Sequence, residues 1–270
     1  MIKIENTVIS GMDAAIRGMR NAKNSWNKAD SKSGFIRLDQ LFRLIEMHVC
    51  DLMKDMPAAD EVAADRYESL YDYYNNNAIL NADDSNGIVH YFLMGENDLK
   101  LASTLAKAGT DHGKFLRQIQ ISADITAPLF FWKEFDTYKV GTVANSTSTM
   151  HTIEKNPITL DSFSFETMFP LDKAQEAFCD MITVVHICEN LRKKFLEAKE
   201  EGNDELAKNY WRLLIELLPN GWLQTRTVTL NYAVARNIRK SRAGHKLTEW
   251  HKVCNWIDSL PYAKELILSK

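Results

Sequence analysis

The chain has 270 residues, 45% hydrophobic and 26% charged, an ordinary globular composition with enough length to bury a core. Its formal net charge is -3 and its pI is near 6.2, so no basic field covers it and duplex nucleic acid is not expected as a partner; a local basic pocket for a small anion stays open. No apolar run reaches the ~18 residues of a membrane span, and the N-terminus lacks the basic-then-apolar layout of a signal peptide, so a cytoplasmic protein off the membrane is expected.

The alternation of Ile2, Ile4, Val8 and Ile9 predicts a short first strand. Residues 12–26 read as a helix with Ser10 or Asp13 as cap, and Ser31 to Gly34 as a loop. Leu38, Leu41, Leu44, Ile45, Val49 and Leu52 make a helical stripe over 37–56 that Pro57 ends. Residues 58–80 are a further helical stretch carrying Tyr67, Tyr71, Tyr73 and Tyr74, a cluster that stacks on bases or lines a core edge or subunit interface. A polar turn at 81–87 precedes a helix over 97–108, capped by Asn97 and stopped by Gly109.

Residues 115–126 alternate as a half-buried strand, and Leu129 to Phe135 begin an apolar helix after Pro128. Residues 137–153 read as a loop and 154–170 as irregular. Helices are predicted at 172–201, at 204–217 ending on Pro219, at 225–241 and at 246–258. The fold class expected is α+β: one helix-rich domain over 1–270 with a small central antiparallel sheet and a helical insertion at 35–90.

Cys50, Cys179, Cys188 and Cys254 form no CxxC pair and read as small buried apolar residues without disulfides. The histidines are scattered, so no metal is expected. No Walker loop or Rossmann glycine fingerprint is present. Two segments stand out. Residues 136–151, DTYKVGTVANSTSTMH, are rich in hydroxyls and suit either a phosphate cradle or a capped surface loop. Residues 224–242 are the most basic stretch; Asn231 and Arg242, three helical turns apart, would share a face, and Asn231 sits among Val228, Leu230 and Val234 as if it had an inward task.

These segments resemble the flavin-dependent thymidylate synthase family, of which the chain looks like a diverged member. The family's signature, RHRxxSxNExSxRY, follows a strand, an Ala-Pro step and a short helix. Here Ala127-Pro128 leads to Trp132-Lys133-Glu134-Phe135, Thr137-Tyr138-Lys139 stand where RHR would be, and Asn145 and Ser148 match the later positions. The family's Leu-Pro, Asn, Asn, Arg spacing is met by Leu218-Pro219, Asn231, Asn237 and Arg242. The family's GHxSxxEH motif is blurred into Gly109 to Arg117, which includes His112, and Ala14-Ala15-Ile16-Arg17 is similar to its early Ala-Ala-Arg helix.

The resemblance implies FAD as cofactor, NADPH and methylenetetrahydrofolate as co-substrates, and C5 methylation, or a related one-carbon modification, of a pyrimidine deoxynucleotide such as dUMP. It places His112, Arg117, Tyr138, Lys139, Asn231 and Asn237 at the flavin. Glu134, Asn145, Ser146, Ser148 and Arg242 would meet the nucleotide, with Arg242 also catalytic through charge developing on the base. It implies a homo-oligomer, a tetramer, with sites between subunits. The chain departs from the family at Thr137-Tyr138-Lys139, at Met150 and at Ile215, where the family has arginines on phosphate or flavin; each lost charged hydrogen bond costs roughly 1.5–3 kcal/mol. Lys139, Arg117, Arg212 or Arg226 would have to substitute, and a shifted pyrimidine or C5 product is expected. A non-catalytic flavin- or nucleotide-binding paralogue and a helical oligomeric interaction protein are the competing readings.

Overall fold

The computed structural model describes residues 2–54, 61–83, 87–165 and 171–269. The fold is α+β, as the patterns predict. In chain order it runs β1 (Lys3–Ser10), α1 (Met12–Arg20), β2 (Lys32–Arg37), α2 (Leu41–Leu52), α3 (Glu61–Asn77), β3 (Ile79–Asp83), β4 (Ile88–Leu93), α4 (Glu96–Lys107) and β5 (Gln120–Pro128). It continues with α5 (Leu129–Phe135), β6 (Thr142–Ser146), α6 (Thr149–Thr152), α7 (Leu171–Glu200), α8 (Asp204–Leu217), β7 (Leu223–Asn231), α9 (Tyr232–Arg242), α10 (Thr248–Asp258) and α11 (Ala263–Leu266). One sheet has the order β1-β5-β7-β6 and a second the order β2-β4-β3. The chain divides into two units, Met1–Asn6 with Ala123–Val228, and Thr7–Ser122 with Thr229–Lys270.

In the first unit, α7 and α8 form a helical hairpin. Gly202, at φ +68, makes the turn, and Asn203 then caps α8 by accepting the Leu206 N–H at 3.1 Å. Val185, Cys188 and Leu191 of α7 and Leu214 of α8 close a core with Ile153, Ile158 and Phe163. The inward Ala123, Ile125 and Ala127 alternate with Asp124 and Thr126, so the opposite sheet face is polar. On that face the Thr227 hydroxyl donates to Asp124 at 2.6 Å, and the hydroxyls of Thr126 and Thr225 meet at 2.7 Å.

In the second unit, β2, β4 and β3 pair antiparallel, with Phe35 opposite His90 and Ile79 opposite Phe92. Leu41, Ile45 and Val49 of α2, Tyr74 of α3 and Leu93 of β4 bury together. A buried ion pair joins α1 to α4: Arg20 Nε donates to Asp98 Oδ1 at 2.6 Å. The other Asp98 oxygen accepts from the N–H groups of Asp30 and Ser31 and from the Ser31 hydroxyl. The Asp30 carboxylate in turn caps α4, accepting the N–H groups of Asn97 and Asp98.

Several expectations need correction. The stretch expected as one helix over 225–241 is a strand through Asn231 followed by α9, because Thr225, Thr227 and Thr229 are β-branched at alternate positions. The face shared by Asn231 and Arg242 therefore does not arise from a continuous helix. Residues 31–34 belong largely to β2 and the start of the 81–87 turn to β3, so the 35–90 segment holds strands as well as helices. The 137–153 loop contains β6 and α6. The strand expected at 115–126 begins at Gln120, after a 3-10 turn over Gly113–Arg117. Gly11 precedes α1 in the left-handed conformation with no side-chain cap, and α4 is capped by the distant Asp30 rather than by Asn97. Cys50 and Cys179 are exposed; only Cys188 and Cys254 are buried. Pro57, expected to end α2, lies outside the described residues.

Candidate functional site

The site residues read from the sequence fall on both units. On the first unit, Glu134 and Tyr138 are half-buried and Lys139 is exposed, with no ion pair among the described residues. The Tyr138 ring lies 6.4 Å from that of Phe135. Asn145 and Ser146 end β6 and Ser148 precedes α6; all three side chains are exposed. Arg226, a possible phosphate ligand, is already engaged. Its guanidinium stacks on Trp132 at 4.3 Å, pairs with Asp136 at 2.7 Å and donates to Gln224 at 3.0 Å. Arg212 is likewise taken, by Glu216 at 2.8 Å on an exposed helix face. Met150 is exposed and Ile215 packs against the α7–α8 core, so neither position supplies charge.

On the second unit, the Asn231 side chain is 7% exposed and its inward task is a helix cap: Oδ1 accepts the Val234 N–H at 3.0 Å and starts α9. Asn237 is exposed on α9. Arg242, half-buried, lies over the Trp250 ring at 4.6 Å. His112 is exposed in the turn ahead of Gly113.

Between the end of α4, the 109–117 turn and α9 lies a cavity of about 250 Å³. Lys107 and Arg117 line it from one side and Arg236 and Lys240 from α9. Gly109, at φ +100, turns the chain into the cavity wall. Lys107, Arg117 and Lys240 have no ion pair among the described residues, and no carboxylate lines the cavity. Arg236 is anchored instead: it donates to the carbonyls of Ala106 and Ser269. Among the described residues its charge is met by these carbonyl dipoles. A second cavity of about 650 Å³ also has Arg236 and Lys240 in its wall, with Arg239, which is paired to Asp258 at 2.6 Å. Four cations around so small a space form an anion site in the sense that small polyanions need: local positive charge and donors without competing acids.

Of the residues read from the sequence on this unit, Arg117 lines the smaller cavity; Asn231, Asn237 and Arg242 lie outside its lining. Lys107, Arg236 and Lys240 were not among the expected site residues. Their signal was present for α9: Ala233, Arg236 and Lys240 recur at three- and four-residue spacing and so share one helix face.

A flavin dinucleotide needs a pocket of several hundred Å³ and cations for its two phosphates. Of the two cavities that share Arg236 and Lys240, the larger reaches that size and both are lined by cations, so the residues present fit the group. Among the described residues no three His, Cys, Asp or Glu side chains gather in a way that would hold a metal, and no helix is long and apolar enough to cross a membrane.

No family model and no curated protein matches the chain. Among solved structures it is similar to thymidylate synthase X of Helicobacter pylori with FAD and dUMP, over 88% of this chain and 97% of that one, at 14% identity and a TM-score of 0.44. A second structure of that organism's flavin-dependent thymidylate synthase, complexed with FAD and dUMP, aligns over 87% of this chain and 95% of that one, at 15% identity and a TM-score of 0.44.

Proposed function

We propose that this chain is a flavin-dependent enzyme that modifies C5 of a pyrimidine deoxynucleotide, with methylenetetrahydrofolate as one-carbon donor and NADPH as reductant. The observation that supports it most is the α9 cavity. Residues 109–117 and the helix that follows Asn231 are two separate stretches that resemble the family's motifs, and they line one basic cavity. Lys107, Arg117 and Lys240 would hold the phosphates of FAD, and Arg236, fixed by two carbonyls, would keep the cavity positive. FAD, when bound, supplies the redox chemistry.

The roles of the remaining residues follow from the same reading. Arg242 would meet the pyrimidine and stabilise charge developing on its carbonyl oxygen, with Trp250 holding the guanidinium plane. On the first unit, the exposed Ser146 and Ser148 are, with Lys139, its candidates for a phosphate. A homotetramer in the cytoplasm belongs to the same proposal, and light scattering that returned a monomer would count against it. The test of activity is direct: incubate the purified protein with FAD, NADPH, methylenetetrahydrofolate and dUMP or dCMP, and look for a mass gain on the pyrimidine. No gain on either nucleotide would overturn the enzymatic reading.

A second reading, a non-catalytic flavin- or nucleotide-binding protein, is favoured by one specific observation. The positions where the family carries its phosphate-binding arginines are an exposed Met150 and a core-packed Ile215, and Arg226 and Arg212 are both already paired. Flavin binding without turnover would select it. The Tyr-rich interaction reading loses support, because Tyr74 is 1% exposed and stands against His48, while Tyr67 and Tyr71 stack on each other.

A further inference from the structure

A different basic cavity, of about 620 Å³, lies on the second unit between the chain that follows α1 and the start of α4. Two 3-10 turns, Asn21–Lys23 and Trp26–Lys28, shape one wall. Arg20, Lys23, Lys28, Asn24, Asn27 and Asn97 line it. Among the described residues no carboxylate does. Asp98 accepts from Arg20 and from three Asp30 and Ser31 donors, and Asp30 accepts from two N–H groups of α4, while the exposed Glu96 adjoins Asn97 in sequence.

Two observations turn this from a basic surface into a site. Lys23 and Lys28 have no ion pair among the described residues, so their charge is available to a ligand. Arg20 is 4% exposed, and while its Nε and Nη1 donate to Asp98 and the Ser25 carbonyl, its buried Nη2 has no acceptor. A buried guanidinium donor without an acceptor is costly, and Arg20 belongs to the wall of this cavity. Next to the lining residues Ser25 and Asn27 in sequence, Trp26 is 49% exposed, and its indole N–H is tied to Asn21 at 2.9 Å, so the ring is held in place.

We propose that this cavity is a second ligand site, distinct from the α9 cavity, that takes a phosphate-bearing small molecule. Lys23 and Lys28 contribute charge, Arg20 and the asparagine amides contribute directed donors, and Trp26 offers a flat apolar face to whatever the phosphate carries. The site does not depend on the flavin reading, since it shares no lining residue with the α9 cavity.

The experiment is a titration of the full chain with inorganic phosphate and with a nucleoside monophosphate, followed by calorimetry and by tryptophan emission, with Trp26→Phe identifying the Trp26 signal. Saturable binding is expected, weakened at least tenfold by Lys23→Gln/Lys28→Gln and by Asn97→Asp, which puts a carboxylate in the wall. The two lysines are exposed, so the double variant keeps its fold, checked by circular dichroism. In Lys107→Glu/Lys240→Glu the binding reported by Trp26 emission should be unchanged. Tighter binding of the nucleotide than of phosphate, with loss of the difference in Trp26→Phe, assigns the rim as well. Absence of saturable binding of either probe, or binding that survives both wall variants, overturns the proposal.

Discussion

Replacing Asp98 with Asn tests the polar centre that fixes α1 to α4. Asp98 is 0% exposed, and its two oxygens accept four hydrogen bonds, at 2.6 Å from Arg20, 3.0 Å from Asp30 N–H, and 2.9 and 2.7 Å from Ser31. An amide has one acceptor oxygen and brings two donors, so either Arg20 or the 30–31 backbone loses its acceptor. Removing the charge also strands a guanidinium that is 4% exposed, with only the Ser25 carbonyl at 3.3 Å left to it. Breaking a buried pair in this way costs about 3–5 kcal/mol. Arg20→Met should cost less, about 1–3 kcal/mol, because Asp98 keeps three donors. Urea unfolding at neutral pH, followed by far-ultraviolet dichroism, gives both values if the slopes match. A loss under about 1 kcal/mol for Asp98→Asn, or a larger loss for Arg20→Met, would refute the reasoning. The pair also has an acid limb. Burial pushes the Asp98 carboxyl up, but the hydrogen bonds from Ser31 and Arg20 outweigh it and hold the pKa below the usual 3.8. Its contribution is therefore present above pH 3.8 and lost as the pH falls through the lower folded value.

Three further predictions follow from single side chains. Asn231→Ala removes the cap of α9 and should cost roughly 1 kcal/mol by thermal or urea unfolding; restoration by Asn231→Asp or Asn231→Ser would show that capping is the cause. His48 is 3% exposed with neither ring nitrogen hydrogen-bonded, and burial, aided by the Lys32 charge, holds its pKa below 6.5. The unfolded chain thus binds a proton that the native state refuses, so stability is full above pH 6.5 and falls below it by up to about 1.4 kcal/mol per pH unit until the folded pKa is reached. His48→Leu should flatten that limb; an unchanged pH profile would count against it. Gly95→Ala should destabilise, since a Cβ there would lie 2.2 Å from the Asp30 carboxyl carbon and 2.5 Å from its backbone carbonyl carbon; an unaltered melting temperature would disprove the clash.

How much of this was legible in the sequence depended on how local its cause is. The helices at 129–135, 204–217 and 246–258 came through because each has an apolar stripe and a local stop, such as the Leu218-Pro219 step after α8. Strand β7 was missed because Leu230 and Val234 lie one helical turn apart; the two-residue step from Val228 to Leu230, the alternating threonines and the Asn231 cap were the signals that separate strand from helix. The sheet β2-β4-β3 was missed because its strands are short and β2 pairs with β4 across dozens of residues, which no local window contains, although β3 and β4 are neighbours in sequence. The cap of α4 was illegible for the same reason: Asp30 reaches it from far along the chain. At the candidate site, Arg117 was found through its motif position. Lys107 and Arg236 were not, since only the fold brings the end of α4 against α9.

The central claim is that the α9 cavity binds a flavin through its phosphates. Titrate the purified chain with FAD, FMN and riboflavin, following flavin fluorescence, for the parent and for Lys107→Glu/Lys240→Glu. With each charge-assisted contact contributing about 1.5–3 kcal/mol, the parent should bind FAD most tightly and riboflavin least. The variant should lose at least about tenfold for FAD, equivalent to 1.4 kcal/mol, with little change for riboflavin. A parent protein that binds no flavin, or binds riboflavin as well as FAD, would contradict the account.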